Sequence, residues 1–507
     1  MIRSPWGSLA PYPREPLWAH LATAAERFSQ KAALVGTSGR LCTFGELWDL
    51  SRSVAGYLQF EGGVARGDRV AVTTEASREF LAAMYGALLA GATVAAANPQ
   101  FGPRDMAARL ETVGPRVVIA SPRAQATIAE LEAGGNAAGR ARVFPLEGLS
   151  LTAGEYGRQP EPVALDVDSD LALLGYTSGT GGLPKAVPHS HAAQAASARQ
   201  RAATGRGGEH SVVLGFHPLW FTIQLTVLTG ATCVEASGLD PDETLALCER
   251  ERVTEIYGRP FSLETLIEAY DRHPRDLPLR LIETSGTPLS LHLATEAERR
   301  FRCPIRQAYH LSEGTGSVNR PKLEEANAET VGYPVPDTEE KIVDPDTLVE
   351  VPVGEIGELM IRGPQVARGY WNRPEETAET FLADGWLRTG DVARQDVEGR
   401  VYIVDRLKDV MKVYGRQVAP AEIEAVLAEH PAIRESAVVG VPFPGAGEVP
   451  KAFVVLNEGQ HVTLDELATF VATRLASFKM IQEVELVDRL PRGPGGKLLR
   501  RALVPRA

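Results

Sequence analysis

Tyr176-Thr-Ser-Gly-Thr-Gly-Gly-Leu-Pro-Lys185 closes the apolar run Leu171–Tyr176 (LALLGY) and governs the reading of the whole chain. A short apolar run that stops at a Gly/Thr/Ser-rich loop reads as a buried strand opening onto a turn. Gly179, Gly181 and Gly182 let the backbone turn its N–H groups inward as an anion nest. Thr177, Ser178 and Thr180 add hydroxyl donors, and Lys185 adds a point charge. Only nine of the 53 basic residues are lysine. A lysine at the end of a glycine-rich loop therefore runs against this chain's habit of using arginine. In physical terms the stretch is a phosphate cradle. It is not a GxxxxGK[ST] loop, because Pro184 precedes the lysine and Ala186 follows it.

The surroundings alternate between strand and helix. Residues 69–74 (RVAVTT), 92–97 and 116–120 (RVVIA) read as strands, and residues 79–90 and 105–113 as helices. Such alternation predicts an α/β sheet with parallel strands. Residues 133–162, rich in Gly, Ala and Pro, read as a loop excursion, and a helix is expected from about residue 190. Beyond residue 350, ELMIR (358–362) and VYIV (401–404) read as strands. After Asp405-Arg406 a compact α/β unit follows, with helices over 419–429 and 464–475 and strands over 435–441 and 451–456.

The chain has 507 residues, 44% hydrophobic and 23% charged, an ordinary globular mix with room for two to four domains. Its net charge of −12 argues against a nucleic-acid partner. Cys42, Cys233, Cys248 and Cys303 lie far apart with no zinc spacing, so they read as buried thiols. His189 and His191 lack a nearby third ligand and read as structural. No segment approaches the roughly 18 apolar residues of a membrane span. Residues 1–20 read as lacking an apolar h-region. A cytoplasmic enzyme without a membrane is expected.

Seven segments, in order, resemble the ANL superfamily of adenylate-forming enzymes: acyl-CoA synthetases, adenylation domains and luciferases. They are the 176–185 loop, Gln307-Ala-Tyr-His-Leu-Ser-Glu313, and Gly357-Glu-Leu-Met-Ile-Arg-Gly363 with Gly369-Tyr370. The others are Gly385-Trp-Leu-Arg-Thr-Gly-Asp391, Asp405-Arg-Leu-Lys408, Gly415-Arg-Gln-Val-Ala-Pro-Ala-Glu-Ile-Glu424 and Pro491-Arg-Gly-Pro-Gly-Gly-Lys497. The DRLK and QVAPAEIE strings are most similar to the 4-coumarate–CoA ligase and luciferase branch. The resemblance implies an α/β fold with a large N-terminal adenylate-forming domain of doubly wound sheets, residues 1–405. It also implies a small mobile C-terminal α+β domain, residues 406–507, with a hinge near 405–408.

The resemblance also implies a chemistry and its residues. A carboxylate would attack the α-phosphorus of ATP to give acyl-AMP, and coenzyme A would then take the acyl group as a thioester. Thr177, Ser178, Gly179, Thr180, Gly181, Gly182 and Lys185 would cradle the phosphates. Glu313 and Thr180 would hold Mg²⁺. Gly286, Thr287 and Pro288 would flank the adenine with Ala308, Tyr309, His310, Leu311 and Ser312. Asp391 and Arg406 would hold the ribose, and Lys497 would reach the carboxylate and α-phosphate. Lys408 would be the hinge residue, and Gly415 would admit pantetheine. Trp220 and Phe221, with Ala308 and Gly314, would form a bulky apolar acyl pocket. Residues 210–234 contain no carboxylate for a substrate amine. A large hydrophobic or aromatic acid is therefore expected, because a buried ammonium without a counter-charge is costly.

Five positions depart from the family pattern: Gly181 for a second Thr, Ala186 for a Gly, Tyr414 for a Lys, Phe221 for a His, and Ala308 where Gly is common. Losing a hydroxyl that donates to a charged group costs about 1.5–3 kcal/mol. Two further readings therefore stand beside the complete ligase. One is a partial enzyme that takes preformed acyl-AMP made by a separate adenylating partner enzyme. The other is a non-catalytic adenylate-binding protein.

Overall fold

The computed structural model describes residues 1–75, 77–99, 101–135, 142–146, 158–177, 185–205, 207–216, 219–325, 328–414, 416–443, 447–492 and 498–503. The chain forms two compact units. The larger holds Ile2–Glu340 and Ile361–Leu387; the smaller holds Lys341–Met360 and Arg388–Ala507, together with Met1. The 405–408 string lies inside the smaller unit.

The larger unit contains two mainly parallel sheets. The first has the order Arg142–Pro145, Val117–Ala120, Arg69–Thr73, Thr93–Ala96, Leu171–Tyr176 and Ala186–Ser190. Only its last pair is antiparallel, with Tyr176 opposite Ala186. The second runs Ile305–Gln307, Leu281–Thr284, Glu255–Gly258, Val212–Gly215, Thr232–Val234, Ala32–Gly36 and Gly39–Thr43, antiparallel only at its final pair. Parallel strands need crossovers, and helices such as Arg78–Leu89 and Pro260–Arg272 supply them. The α/β expectation is met. One element differs from expectation: Arg142–Pro145, inside the stretch read as a loop excursion, is a strand parallel to Val117–Ala120. Its ArgValPhePro sequence is too short to stand out among Gly and Ala.

Local chemistry sets the helix starts. Thr43 and Glu46 form a capping box at Phe44–Phe60, and Asp240 and Glu243 form another at Pro241–Arg250. Ser190 caps His191–Thr204 by accepting from the Ala193 N–H. The main core packs Leu21, Leu34, Phe44, Leu81, Tyr85, Val94 and Trp220 together. The four cysteines are free and buried, as expected.

A three-stranded antiparallel sheet, Tyr309–Leu311, Gly316–Arg320 and Tyr333–Pro334, follows the second parallel sheet in the chain. In the smaller unit, Leu387–Gln395 pairs antiparallel with Val401–Arg406, placing Asp391 opposite Arg406. Its C-terminal part has the strand order Arg416–Val418, Met411–Val413, Gly447–Leu456, Ile433–Phe443, with Glu483–Leu486 parallel to Gly447–Leu456. Helices Pro420–Ala428 and Leu464–Ala472 pack on the apolar face of this sheet through Ile423, Leu427, Leu467 and Val471. Among the described residues, no helix is long and apolar enough to cross a membrane.

Candidate active site

The strand Leu171–Tyr176 delivers Thr177 to the mouth of the glycine-rich loop, and Lys185 closes it. The Thr177 N–H donates to the Lys185 carbonyl at 2.9 Å, so the two ends of the loop are tied. Ser178, Gly179, Thr180, Gly181 and Gly182 lie outside the described residues. Lys185 is half-buried, with Nζ 4.5 Å from the centroid of the Tyr370 ring. The Tyr370 hydroxyl donates to Glu313 Oε1 at 2.7 Å. One tyrosine thus connects the loop lysine to the predicted metal-binding carboxylate. Two backbone bonds hold it there: Trp371 N–H to the Ala186 carbonyl at 2.9 Å, and Ala367 N–H to the Glu313 carbonyl at 2.8 Å. Ala186 packs its methyl among Ala95, Val113 and Leu174, so this departure from the family pattern fills apolar space.

The predicted adenine segments follow adjacent parallel strands. Gly286 comes just after Leu281–Thr284, and Ala308 just after Ile305–Gln307; the Ala308 N–H donates to the Thr284 carbonyl at 2.8 Å. The C-terminal edge of a parallel sheet is where α/β folds bind ligands. Gly286 has φ +88° and nothing within 4 Å of a built Cβ, so its face is open. Thr287 is half-buried and Pro288 exposed, whereas Ala308, Tyr309 and Leu311 are buried. The Ser312 carbonyl binds His189 Nε2 at 2.8 Å, and His189 Nδ1 faces Gln194 at 2.8 Å. His191 Nδ1 accepts from the Leu17 N–H. Both histidines are structural. Among the described residues, no group of three or more His, Cys, Asp or Glu could hold a metal.

On the acyl side, Trp220 is 3% exposed and packs against Tyr85, ring centroids 5.2 Å apart, inside the main core. Phe221 is half-buried and lies over Gly316, where an added Cβ would sit 3.5 Å from its ring. Gly314 is packed too tightly for a side chain, with Val318 Cγ2 2.7 Å from a built Cβ.

Behind this face is a buried polar network. Glu283 accepts from Arg306 Nε and from Arg320 Nη2, each at 2.7 Å. Burial alone would raise the Glu283 pKa; the two guanidiniums overcome it and hold the carboxyl well below the usual range. Arg320 Nε donates to Ser317 Oγ at 3.1 Å, and Ser317 Oγ lies 2.9 Å from His310 Nε2. Arg201 donates to the Phe221 carbonyl.

In the smaller unit, Arg406 Nε lies 2.6 Å from Asp391 Oδ1, and the Thr389 hydroxyl accepts from the Asp391 N–H. Asp405 Oδ2 accepts from the Ala421 N–H at 2.9 Å, an acceptor at the start of helix Pro420–Ala428. Burial raises Asp405 to about 6, against the pull of Arg500. Lys408 is exposed in the turn that follows. Tyr414 is exposed with φ +49°. Gly415 and Lys497 lie outside the described residues.

Sequence reading gave Tyr370 no role, although it stands in the Gly369-Tyr370 string. It also missed Glu283, Arg306, Arg320 and Ser317, which nothing local marks.

Residues 21–371 match the family described as AMP-binding enzyme, and residues 422–497 match the AMP-binding enzyme C-terminal domain. The chain is 34% identical to 4-coumarate–CoA ligase 5 of Oryza sativa subsp. japonica, covering 94% of this chain and 92% of that protein. It is also 34% identical to a feruloyl-CoA synthase of Amycolatopsis sp, over 94% and 96% respectively. The solved structure of an anthranilate CoA ligase in complex with anthranoyl-AMP superposes with a TM-score of 0.87 at 26% identity, covering 98% of this chain and 97% of that one. The chain belongs to the AMP-binding enzyme family, within the ANL adenylate-forming superfamily, and is an AMP-forming acid–thiol ligase.

Proposed function

We propose that this chain joins a bulky aromatic carboxylic acid to coenzyme A through an acyl-AMP intermediate, using ATP and Mg²⁺. The observation that carries the reading is the Lys185–Tyr370–Glu313 arrangement at the end of the glycine-rich loop. The similarity to ligases named for coumarate and ferulate supports the choice of acid. A cytoplasmic location accords with these small substrates.

The substrate carboxylate is already ionised at neutral pH, so the first step needs neither a nucleophile nor a general base from the protein. It needs positioning and charge stabilisation around the phosphate oxygens. Thr177, Lys185 and residues 178–182 hold the β- and γ-phosphates. Glu313, oriented by Tyr370, and the Thr180 hydroxyl offer oxygen donors of the kind a hard cation takes. A Mg²⁺ ion held there would neutralise phosphate charge. Asp391 accepts hydrogen bonds from the ribose hydroxyls, and Arg406 keeps its carboxylate in place. Gly286–Pro288 with Ala308, Tyr309, Leu311 and Ser312 flank the adenine, and Phe221, Ala308 and Gly314 border the acid. Lys497 reaches the carboxylate as its oxygen attacks the α-phosphorus and pyrophosphate leaves.

In the second step the thiolate of coenzyme A attacks the acyl carbonyl, and AMP leaves. Residues 406–507 turn about Lys408 between the steps, and Gly415 leaves room for pantetheine. Gly181 favours a second reading, a chain that receives acyl-AMP from a separate adenylating enzyme. ATP–pyrophosphate exchange in the presence of aromatic acids separates the two. Acid-dependent exchange supports the complete ligase, and its absence, with thioester formed from supplied acyl-AMP, supports the partial enzyme.

A further inference from the structure

Ser317 and His310 face each other across antiparallel strands. Ser317 is fully buried, and its Oγ touches two groups, Arg320 Nε at 3.1 Å and His310 Nε2 at 2.9 Å. A guanidinium can only donate, so Oγ spends a lone pair on Arg320. The hydroxyl hydrogen then needs an acceptor, because a buried donor left unpaired costs about 1–3 kcal/mol. Among the described residues, the acceptor in place is His310 Nε2. Burial holds the imidazole neutral, with its pKa pushed down to about 3. A neutral ring that accepts at Nε2 carries its proton on Nδ1. The order Arg320 → Ser317 → His310 therefore fixes a tautomer and leaves Nδ1–H as the outward end of the relay.

The location of that end gives it a use. His310 is half-buried, unlike its neighbours Tyr309 and Leu311, and no described residue bonds its Nδ1. It stands between Ala308 and the Gly314–Gly316 turn, whose Gly316 lies under Phe221. Arg201, Arg306 and Arg320 are buried with the carboxylate of Glu283, and Arg201 reaches the Phe221 carbonyl. A donor flanked by the guanidiniums of Arg201 and Arg320 favours an electron-rich acceptor.

We propose that His310 Nδ1–H is a specificity-determining donor that selects aromatic acids bearing an acceptor oxygen on the ring, a hydroxyl or methoxy group. This rests on the aromatic-acid ligase reading above. It moves His310 from the adenine side of the site, where the family resemblance set it, to the acyl side. Ser317 is a positioning residue that acts through His310.

The test compares kcat/KM for matched acids, one with a ring hydroxyl or methoxy and one with a methyl at the same carbon. The wild-type chain should prefer the oxygenated acid by about tenfold or more, the range of one hydrogen bond in a site that would otherwise be left unpaired. Ser317→Ala frees the tautomer and should reduce that preference to within about threefold, whereas Ser317→Thr should restore it. An unchanged preference in Ser317→Ala, or equal use of both acids by the wild type, overturns the proposal while leaving the ligase reading intact. No product from any aromatic acid or its adenylate overturns the ligase reading itself. Should the variants fail to fold, ¹⁵N shifts of His310 in the wild-type protein decide: protonated Nδ1 with bare Nε2 is expected, and the reverse tautomer overturns the proposal.

Discussion

Arg406 Nε and Asp391 Oδ1 lie 2.6 Å apart across paired antiparallel strands, with the Asp391 side chain only 3% exposed. Removing one partner of so nearly buried an ion pair leaves the other charge uncompensated. The pair fixes the acceptor that the proposed mechanism offers to the ribose. Asp391→Asn should raise KM for ATP by about ten- to a hundredfold, the value of a hydrogen bond to a charged group. Arg406→Met should have a smaller effect in the same direction. Steady-state kinetics with varied ATP checks this, and unchanged KM values would remove Asp391 from the nucleotide site.

Tyr370 makes a separable prediction. Its hydroxyl holds Glu313 Oε1 at 2.7 Å while its ring lies beneath Lys185. Tyr370→Phe keeps the ring contact and deletes the hydroxyl. The Mg²⁺ concentration needed for half-maximal activity should rise roughly threefold to tenfold, as expected for one lost hydrogen bond. An identical Mg²⁺ dependence would show that the phenol does not orient the carboxylate.

Lys497 and Gly181 test the two half-reactions. Lys497→Ala should abolish acyl-AMP formation yet largely spare thioester formation from supplied acyl-AMP. Equal loss of both would count against its role. Gly181→Thr should speed adenylation by roughly tenfold if the missing hydroxyl limits it, as read in a single-turnover assay.

Glu340 gives a pH signature. It is fully buried; Asn319 donates to Oε2 at 3.0 Å, and among the described residues neither Glu340 Oε1 nor Asn319 Oδ1 has a partner. Burial raises its pKa from 4.5 to about 8, so the folded protein keeps the proton that the unfolded chain gives up. A raised folded pKa contributes stability that is full below 4.5 and is lost as pH rises through about 8. Glu340→Gln should flatten this fall in Tm between pH 5 and 8. A wild-type slope retained in the variant would assign it to other groups.

Legibility followed range. Leu171–Tyr176 was read to the residue because an apolar strand ending in glycine and threonine is a local signal. The helix boundaries at 420–428 and 464–472 were close because proline and Thr463 mark their starts. Helix phase, which no local signal sets, sends Trp220 against Tyr85 in the core and leaves Phe221 half-buried. The Glu283–Arg306–Arg320 network and the Tyr370–Glu313 bond join residues 23 to 57 positions apart. No periodicity carries such pairings, so they emerge only with the fold.

The most direct measurement is mass spectrometry of acyl-CoA formed from a panel of aromatic acids, each supplied as free acid with ATP and Mg²⁺ or as presynthesised acyl-AMP. The account predicts acyl-CoA from both supplies, with AMP and pyrophosphate released from the first. Product from acyl-AMP alone would contradict the complete ligase, and product from neither would contradict the assignment to aromatic acids.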